Sequence, residues 1–141
     1  MGAWGLGPFE NDDALDFVAD LETTAGTGHL VTILSAIADD LGIYVNASEC
    51  SSAIAAAEVV AALLGHPNPE QPEEVTRCAA QQAGANEGLA REALRAVERV
   101  RERSELRELW EAEVGYPHWK ESVADLIARL TFSCKDRPGA L

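Results

Sequence analysis

The sequence predicts an all-α fold, a compact single-domain bundle of six or seven helices with an irregular Gly/Trp N-terminal segment packed into the core. Three observations predict it. Apolar residues recur at spacings of three and four through most of the 141 residues. Glycine and proline mostly fall between these runs, where helices stop and start. No two alternating runs flank a hairpin turn, so no strand pair is expected. A composition of 47% hydrophobic and 25% charged residues is that of an ordinary globular domain rather than a disordered chain.

The first helix follows from Ala14, Phe17, Val18 and Leu21, with Asn11 or Asp12 as its cap. A turn over residues 23–28 leads to a second stripe of Leu30, Ile33, Leu34, Ile37 and Leu41, closed by Gly42. Ile43, Tyr44 and Val45 are β-prone but too few for a strand. Ser48 is read as the cap of a third helix through Ala53, Ala56, Ala57, Val60, Leu63 and Leu64, stopped by Gly65 and Pro67. That helix is apolar nearly all round and so belongs at the centre. Pro72 opens a fourth helix with an inward face of Val75, Cys78, Ala79 and Gln82. Leu89, Ala93, Val97 and Val100 define a longer fifth, laced outside by Glu87 with Arg91, Arg95 with Glu98 and Arg101 with Glu105. After a bend near Ser104 come Leu106, Leu109 and Trp110. Gly115 ends that piece, and Pro117 starts a last helix with Trp119, Val123, Leu126, Ile127 and Leu130 inside. The whole chain, 1–141, reads as one domain, with residues 1–10 as an N-terminal plug and 133–141 as a loose tail.

Charge is divided unevenly. Through Thr76 there are 13 Asp and Glu residues and no Lys or Arg; from Arg77 onward 11 acids meet 11 bases, so the net charge of -13 belongs to the first half. Such a field disfavours nucleic acid and anionic lipid and favours cations or a basic partner. The most apolar run, residues 53–64, is interrupted by Glu58 and too short to cross a bilayer, so no membrane span is expected. Met1-Gly2 lacks the Ser or Thr that myristoylation needs, since Leu6 stands there. The opening has no basic n-region followed by an apolar stretch. Cys50, Cys78 and Cys134 are widely spaced and odd in number, and are read as reduced thiols of a cytoplasmic protein.

The most distinctive stretch is Met1-Gly2-Ala3-Trp4-Gly5-Leu6-Gly7-Pro8-Phe9-Glu10-Asn11-Asp12-Asp13-Ala14-Leu15-Asp16-Phe17. Three glycines around Trp4 suit a tightly bent backbone whose Trp4 and Phe9 insert into the core. This stretch resembles the start of the uncharacterised domain-of-unknown-function family 4259. The resemblance extends to the Ala-rich run 57–65 and to residues 104–110, and departs at Cys78, where the family pattern has tryptophan. It implies a small, mainly helical bacterial protein and no particular activity.

Four features bear on chemistry. The glycines are not a phosphate loop, because a third glycine, a preceding strand and a Gly-Lys-Ser/Thr are all missing. Asp12-Asp13-x-x-Asp16, with Asp20 a turn later, has the spacing that holds Mg²⁺ in some diphosphate enzymes. The simpler reading is a solvated acidic face. Glu58, mid-helix in the most apolar segment, needs a partner or a proton. It is read as a tether of the N-terminal plug, through the Trp4 indole and the amides of Gly5 to Gly7; the alternative is an acid/base or metal ligand facing a pocket with Asp12 or Asp16. His29, His66 and His118 are scattered, which disfavours zinc, and Cys50, Ser51 and Ser52 lack a histidine partner for a hydrolase triad. Trp110, Tyr116 and Trp119 are read as packing anchors.

The functional expectation is a binding protein rather than an enzyme. Glu10, Asp12, Asp13, Asp16 and Asp20 would form the acidic surface that meets a basic protein, in the manner of an immunity protein or regulator, with no cofactor. The alternative is a divalent-metal-dependent enzyme acting on a phosphorylated small molecule through Asp12, Asp13 and Asp16.

Overall fold

The computed structural model describes residues 7–23, 28–39, 45–81 and 87–135. They form seven helices: α1 (Asp12–Thr23), α2 (Gly28–Ala38), α3 (Ala47–Leu63), α4 (Glu73–Gln81), α5 (Glu87–Glu102), α6 (Glu105–Glu111) and α7 (Tyr116–Lys135). No strand occurs among the described residues. The all-α bundle expected from the periodicity is therefore the fold. No helix of the described residues is long and apolar enough to cross a membrane.

α3 is the hub. It packs against α1, α2, α4, α5, α6 and α7, and every residue from Ala53 to Ala61 is buried. Five of those nine residues are alanines (Ala53, Ala55, Ala56, Ala57 and Ala61). Short side chains let neighbouring helix axes close in, and the larger groups at Val59 and Val60 fill what remains. α2 and α5 pack on each other and on α3, and α7 lies mainly on α5. The buried sides of α5 (Leu89, Ala93, Val97, Val100) and α7 (Trp119, Val123, Leu126, Leu130) are the stripes that the spacing predicted.

Helix ends account for most departures from the sequence reading. The cap of α3 is Asn46, not Ser48. Its side chain accepts from the Glu49 amide at 2.9 Å while its own Nδ2 donates to Glu49 Oε1 at 3.0 Å. This reciprocal pairing starts the helix at Ala47 and leaves Ser48 inside the first turn. Ser104 caps α6, accepting from the Arg107 amide at 3.1 Å. The two N-termini are clasped together: the Glu105 amide donates to the Val45 carbonyl at 3.0 Å, and the Ala47 amide donates to Glu105 Oε1 at 2.7 Å. Glu105 is thereby drawn away from Arg101, which lies against Glu102 instead. Arg95 likewise pairs with Glu92 and Asp39 rather than Glu98. The Glu87–Arg91 pair forms as expected, at 2.7 Å.

α3 ends in a Schellman turn. Gly65 has φ of +92°, the Gly65 amide donates to the Ala62 carbonyl and the His66 amide to the Ala61 carbonyl. Only glycine takes that backbone angle without strain. Leu109 is 38% exposed, so α6 buries Leu106 and Trp110 alone. α7 continues through Lys135, past the expected start of the tail at Ser133. Ser133 is buried, its hydroxyl donating to the Arg129 carbonyl at 2.9 Å. Leu41, Gly42, Gln82 and the tail beyond Lys135 lie outside the described residues.

Two consequences are measurable. Ala56→Leu, at a fully buried site, should destabilise the fold by about 1–3 kcal/mol through overpacking. Ser104→Ala should cost about 1–2 kcal/mol by removing a cap. Urea unfolding followed by circular dichroism would read both, as shifts in midpoint at constant slope.

Candidate functional site

The site begins with the turn before α1. The Glu10 amide donates to the Gly7 carbonyl at 3.2 Å, and the Gly7 amide donates back to Glu10 Oε1 at 3.0 Å. A Cβ at position 7 would stand 2.7 Å from that carboxylate oxygen, so glycine permits the clasp. Asn11 then caps α1: its Oδ1 accepts from the Ala14 amide at 2.8 Å, and its Nδ2 donates to the Pro8 carbonyl at 3.4 Å. Phe9, only 6% exposed, anchors the turn in the core.

Behind this turn, Glu58 is fully buried in α3 and faces Arg129 of α7. The two side chains meet as a fork, Nη1 to Oε1 at 2.9 Å and Nη2 to Oε2 at 3.0 Å. Arg129 also donates from Nε to Asp125 Oδ2 at 2.9 Å and from Nη1 to the His66 carbonyl at 3.2 Å. Burial by itself would lower the guanidinium pKa. The hydrogen bonds and charge of Glu58, joined by Asp125, outweigh that and raise it. Asn68 Nδ2 reaches Glu58 Oε2 at 3.4 Å, while Asn68 Oδ1 accepts from the Glu70 amide at 2.9 Å. A carboxylate with both oxygens engaged inside a helical core holds elements together. The arrangement does not present Glu58 as an acid or base for substrate.

Among the described residues, then, the donors to Glu58 come from α7 and the loop after α3, not from the N-terminal segment. The Gly7 amide is taken by Glu10, and Trp4 and Gly5 lie outside the described residues. The sequence reading saw the isolated carboxylate and missed its cation. One signal was available: Arg129 is a lone charge within the apolar run of Leu126, Ile127 and Leu130.

Against the outer side of Asn68 lies an open cleft of about 610 Å³. Gly7, Pro8, Phe9 and Glu10 form one wall, Asn68 and Glu70 a second, and His118 and Ser122 of α7 a third. Thus the cleft is built where the N-terminal turn, the α3–α4 loop and the start of α7 converge. Sequence reasoning named Glu10 for surface charge and did not name the rest of this lining as a site.

The α1 aspartates face outward. Asp12, Asp16 and Asp20 are exposed and Asp13 is half-buried. At about 100° per residue, Leu15 and Ala19 form one edge of the exposed arc and the aspartates the rest; Leu15 is 41% exposed. No ion pair involves Asp12, Asp13 or Asp16 among the described residues, whereas Asp20 has an interaction partner. The same residues contain no group of three or more His, Cys, Asp or Glu side chains placed to hold a metal ion. Convergence of Asp12, Asp13 and Asp16 with Glu58, which the metal-enzyme alternative requires, is not what the fold produces. The expected chemistry of the other candidates is equally plain. Trp110 and Trp119 are buried and stacked with ring centres 6.5 Å apart, Tyr116 stacks on Trp119 at 6.2 Å, and Lys120 Nζ sits 4.7 Å over Tyr116. Cys50 and Cys78 are buried free thiols. Burial pushes the Cys50 thiol up to about 11, against hydrogen bonds toward Ser104 and Leu106 that lower it.

The fold and site define a small all-α domain built around one buried ion pair, with an open polar cleft beside it. Comparison with protein families places the chain more closely: residues 2–122 match the model described as Domain of unknown function (DUF4259), and the chain belongs to that family. The match includes every described residue of the cleft; Asp125 and Arg129 lie beyond its end. Comparison with curated proteins and with solved structures gave no match.

Glu58→Gln should destabilise the fold by about 3–5 kcal/mol, because it strands a buried guanidinium. Glu58→Met combined with Arg129→Met should cost much less than either single change, and chemical denaturation of the three variants would read the difference. A second expectation concerns Cys50. Between pH 9 and 11 the unfolded thiol ionises while the folded one keeps its proton, so stability should fall across that window. Cys50→Ala should flatten this slope, and iodoacetamide at about pH 8 should leave Cys50 unlabelled until the chain unfolds, as read by peptide mass mapping.

Proposed function

We propose that the domain is a protein-binding module that engages a basic surface of its partner through α1 and the turn before it. The observation that carries this reading is the state of Asp12, Asp13 and Asp16. They lie side by side on the outer side of α1, and no described Lys or Arg neutralises them. The later half of the chain supplies arginines to other early carboxylates: Arg95 goes to Asp39 and Arg129 to Glu58. Among the described residues no ion pair compensates the field of these three aspartates. Acidic residues in the first turn also suit the positive end of the helix dipole, so the folded domain tolerates the cluster.

A field of one sign speeds encounter with an oppositely charged surface, and its effect weakens as salt rises. Charge alone gives little affinity; a contact also needs an apolar anchor that loses its water. Leu15, exposed at the margin of the aspartates, is in position to serve. It lies one residue from Asp16 and three from Asp12, on neighbouring parts of the arc.

The reading predicts a capture experiment with three arms. Wild-type protein should retain a basic protein from its source lysate at low salt and release it at high salt. Asp12→Asn/Asp13→Asn/Asp16→Asn should lose it at both, and Leu15→Ala should retain it at least about tenfold more weakly, a change of about 1.4 kcal/mol. Capture that is indifferent to the triple substitution would refute the proposal. None of the four positions is buried, so circular dichroism should be unchanged in these variants.

A further inference from the structure

We infer that the cleft is a pocket for one basic side chain of the partner, a guanidinium or ammonium on an aliphatic stem. The inference rests on the binding role proposed above and adds where the partner's anchor enters. At about 610 Å³ the cleft is within the ~300–1,000 Å³ range that encloses small ligands. Its lining combines apolar surface from Pro8 and Phe9 with two carboxylates, Glu10 and Glu70, carried by separate segments of the chain. None of the described lining residues is Lys or Arg. A cation entering there meets two carboxylates and, on the described walls, no basic side chain other than His118; an anion meets those same carboxylates as like charge.

The stem of a lysine or arginine is apolar and its head charged, so it suits a cleft lined by both apolar and acidic residues. Asn68 and Ser122 add neutral oxygens able to accept from the several N–H groups of such a head. Both carboxylates are carried on backbone that is set before any ligand arrives. Glu10 is held against Gly7, and the Glu70 amide is held by Asn68, itself in contact with buried Glu58. Little backbone ordering remains to oppose binding. Glu10 also lies two residues before Asp12, so the attracting field continues from α1 to a residue of the cleft wall.

The test is a nitrogen-15 NMR titration of the full chain with acetyl-arginine methylamide, acetyl-lysine methylamide, the neutral acetyl-glutamine methylamide and free arginine. The two capped cations should shift the amides of residues 7, 9, 10, 68, 70, 118 and 122 saturably, at least about tenfold more tightly than the glutamine probe. Glu10→Gln/Glu70→Gln should weaken them by about tenfold or more. The substitution at position 10 is not expected to disturb the turn, because an amide oxygen can still accept from the Gly7 amide. Equal response to the neutral probe, or no cleft response at tens of millimolar, overturns the pocket. Free arginine binding at least about tenfold more tightly than its capped form overturns a side-chain anchor in favour of a small-molecule site. The two proposals fail separately. Salt-sensitive capture of a basic protein without cleft shifts refutes only the pocket; cleft shifts without any captured protein refute the partner.

Discussion

The Glu58–Arg129 pair is the constraint around which this fold is arranged. A carboxylate at the centre of an alanine-rich helix is intolerable alone, and a guanidinium buried beside it is equally so. Each requires the other at hydrogen-bonding distance in one geometry, which sets α7 against α3 in both position and rotation. α7 packs chiefly on α5, so greasy contact with α3 alone would constrain that register weakly. The fork does so specifically, and its further donors extend the constraint to Asp125 and to the His66 carbonyl. Whether a hydrophobic pair would be more stable is a separate matter; what the ion pair supplies is one permitted alignment.

From that alignment the outer features follow. The Schellman turn at Gly65 swings the His66 carbonyl toward Arg129, and the loop beyond it brings Asn68 over Glu58. Asn68 in turn holds the amide of Glu70, a residue of the cleft wall. The opposite wall is independent of this chain of contacts. It depends on Phe9 as a core anchor and on glycine at position 7, small enough to let the Glu10 side chain fold back over it. Core and cleft are therefore connected through Asn68, a side chain with one hydrogen bond inward and one outward.

Much of the fold was legible in the sequence because helical periodicity is a local property. The buried stripes of α1, α5 and α7 were read residue by residue, and so was the all-round burial of α3. What failed was also local in origin but decided by distant groups. Ser48 and Asn46 are both good caps; the outcome was settled by Glu49 and by the clasp to Glu105, 58 residues away from Ala47. Arg95 and Arg101 had partners at helical spacing and took others instead: Arg95 reaches Glu92 and the remote Asp39, and Arg101 is left with Glu102 because Glu105 is held by the Ala47 amide. Leu109 followed the apolar pattern yet stayed at the surface, because α6 is only seven residues long and buries a single narrow side. For the site, the anomaly of Glu58 was visible and its partner was not. A sequence ranks a buried charge as a problem without stating which remote charge solves it. The cleft was invisible for a related reason: its walls come from three stretches that share no spacing.

One consequence concerns synthesis rather than the finished molecule. Glu58 and Arg129 are 71 positions apart along the chain. At ribosomal speeds of about 5–20 residues per second, the carboxylate waits roughly 4–14 s for its counter-ion. During that interval α3, whose residues from Ala53 to Ala61 are all buried in the finished fold, gains α5 before it gains α7, so the side that meets α7 is covered last. The surroundings of Glu58 are therefore completed only when α7 delivers its guanidinium.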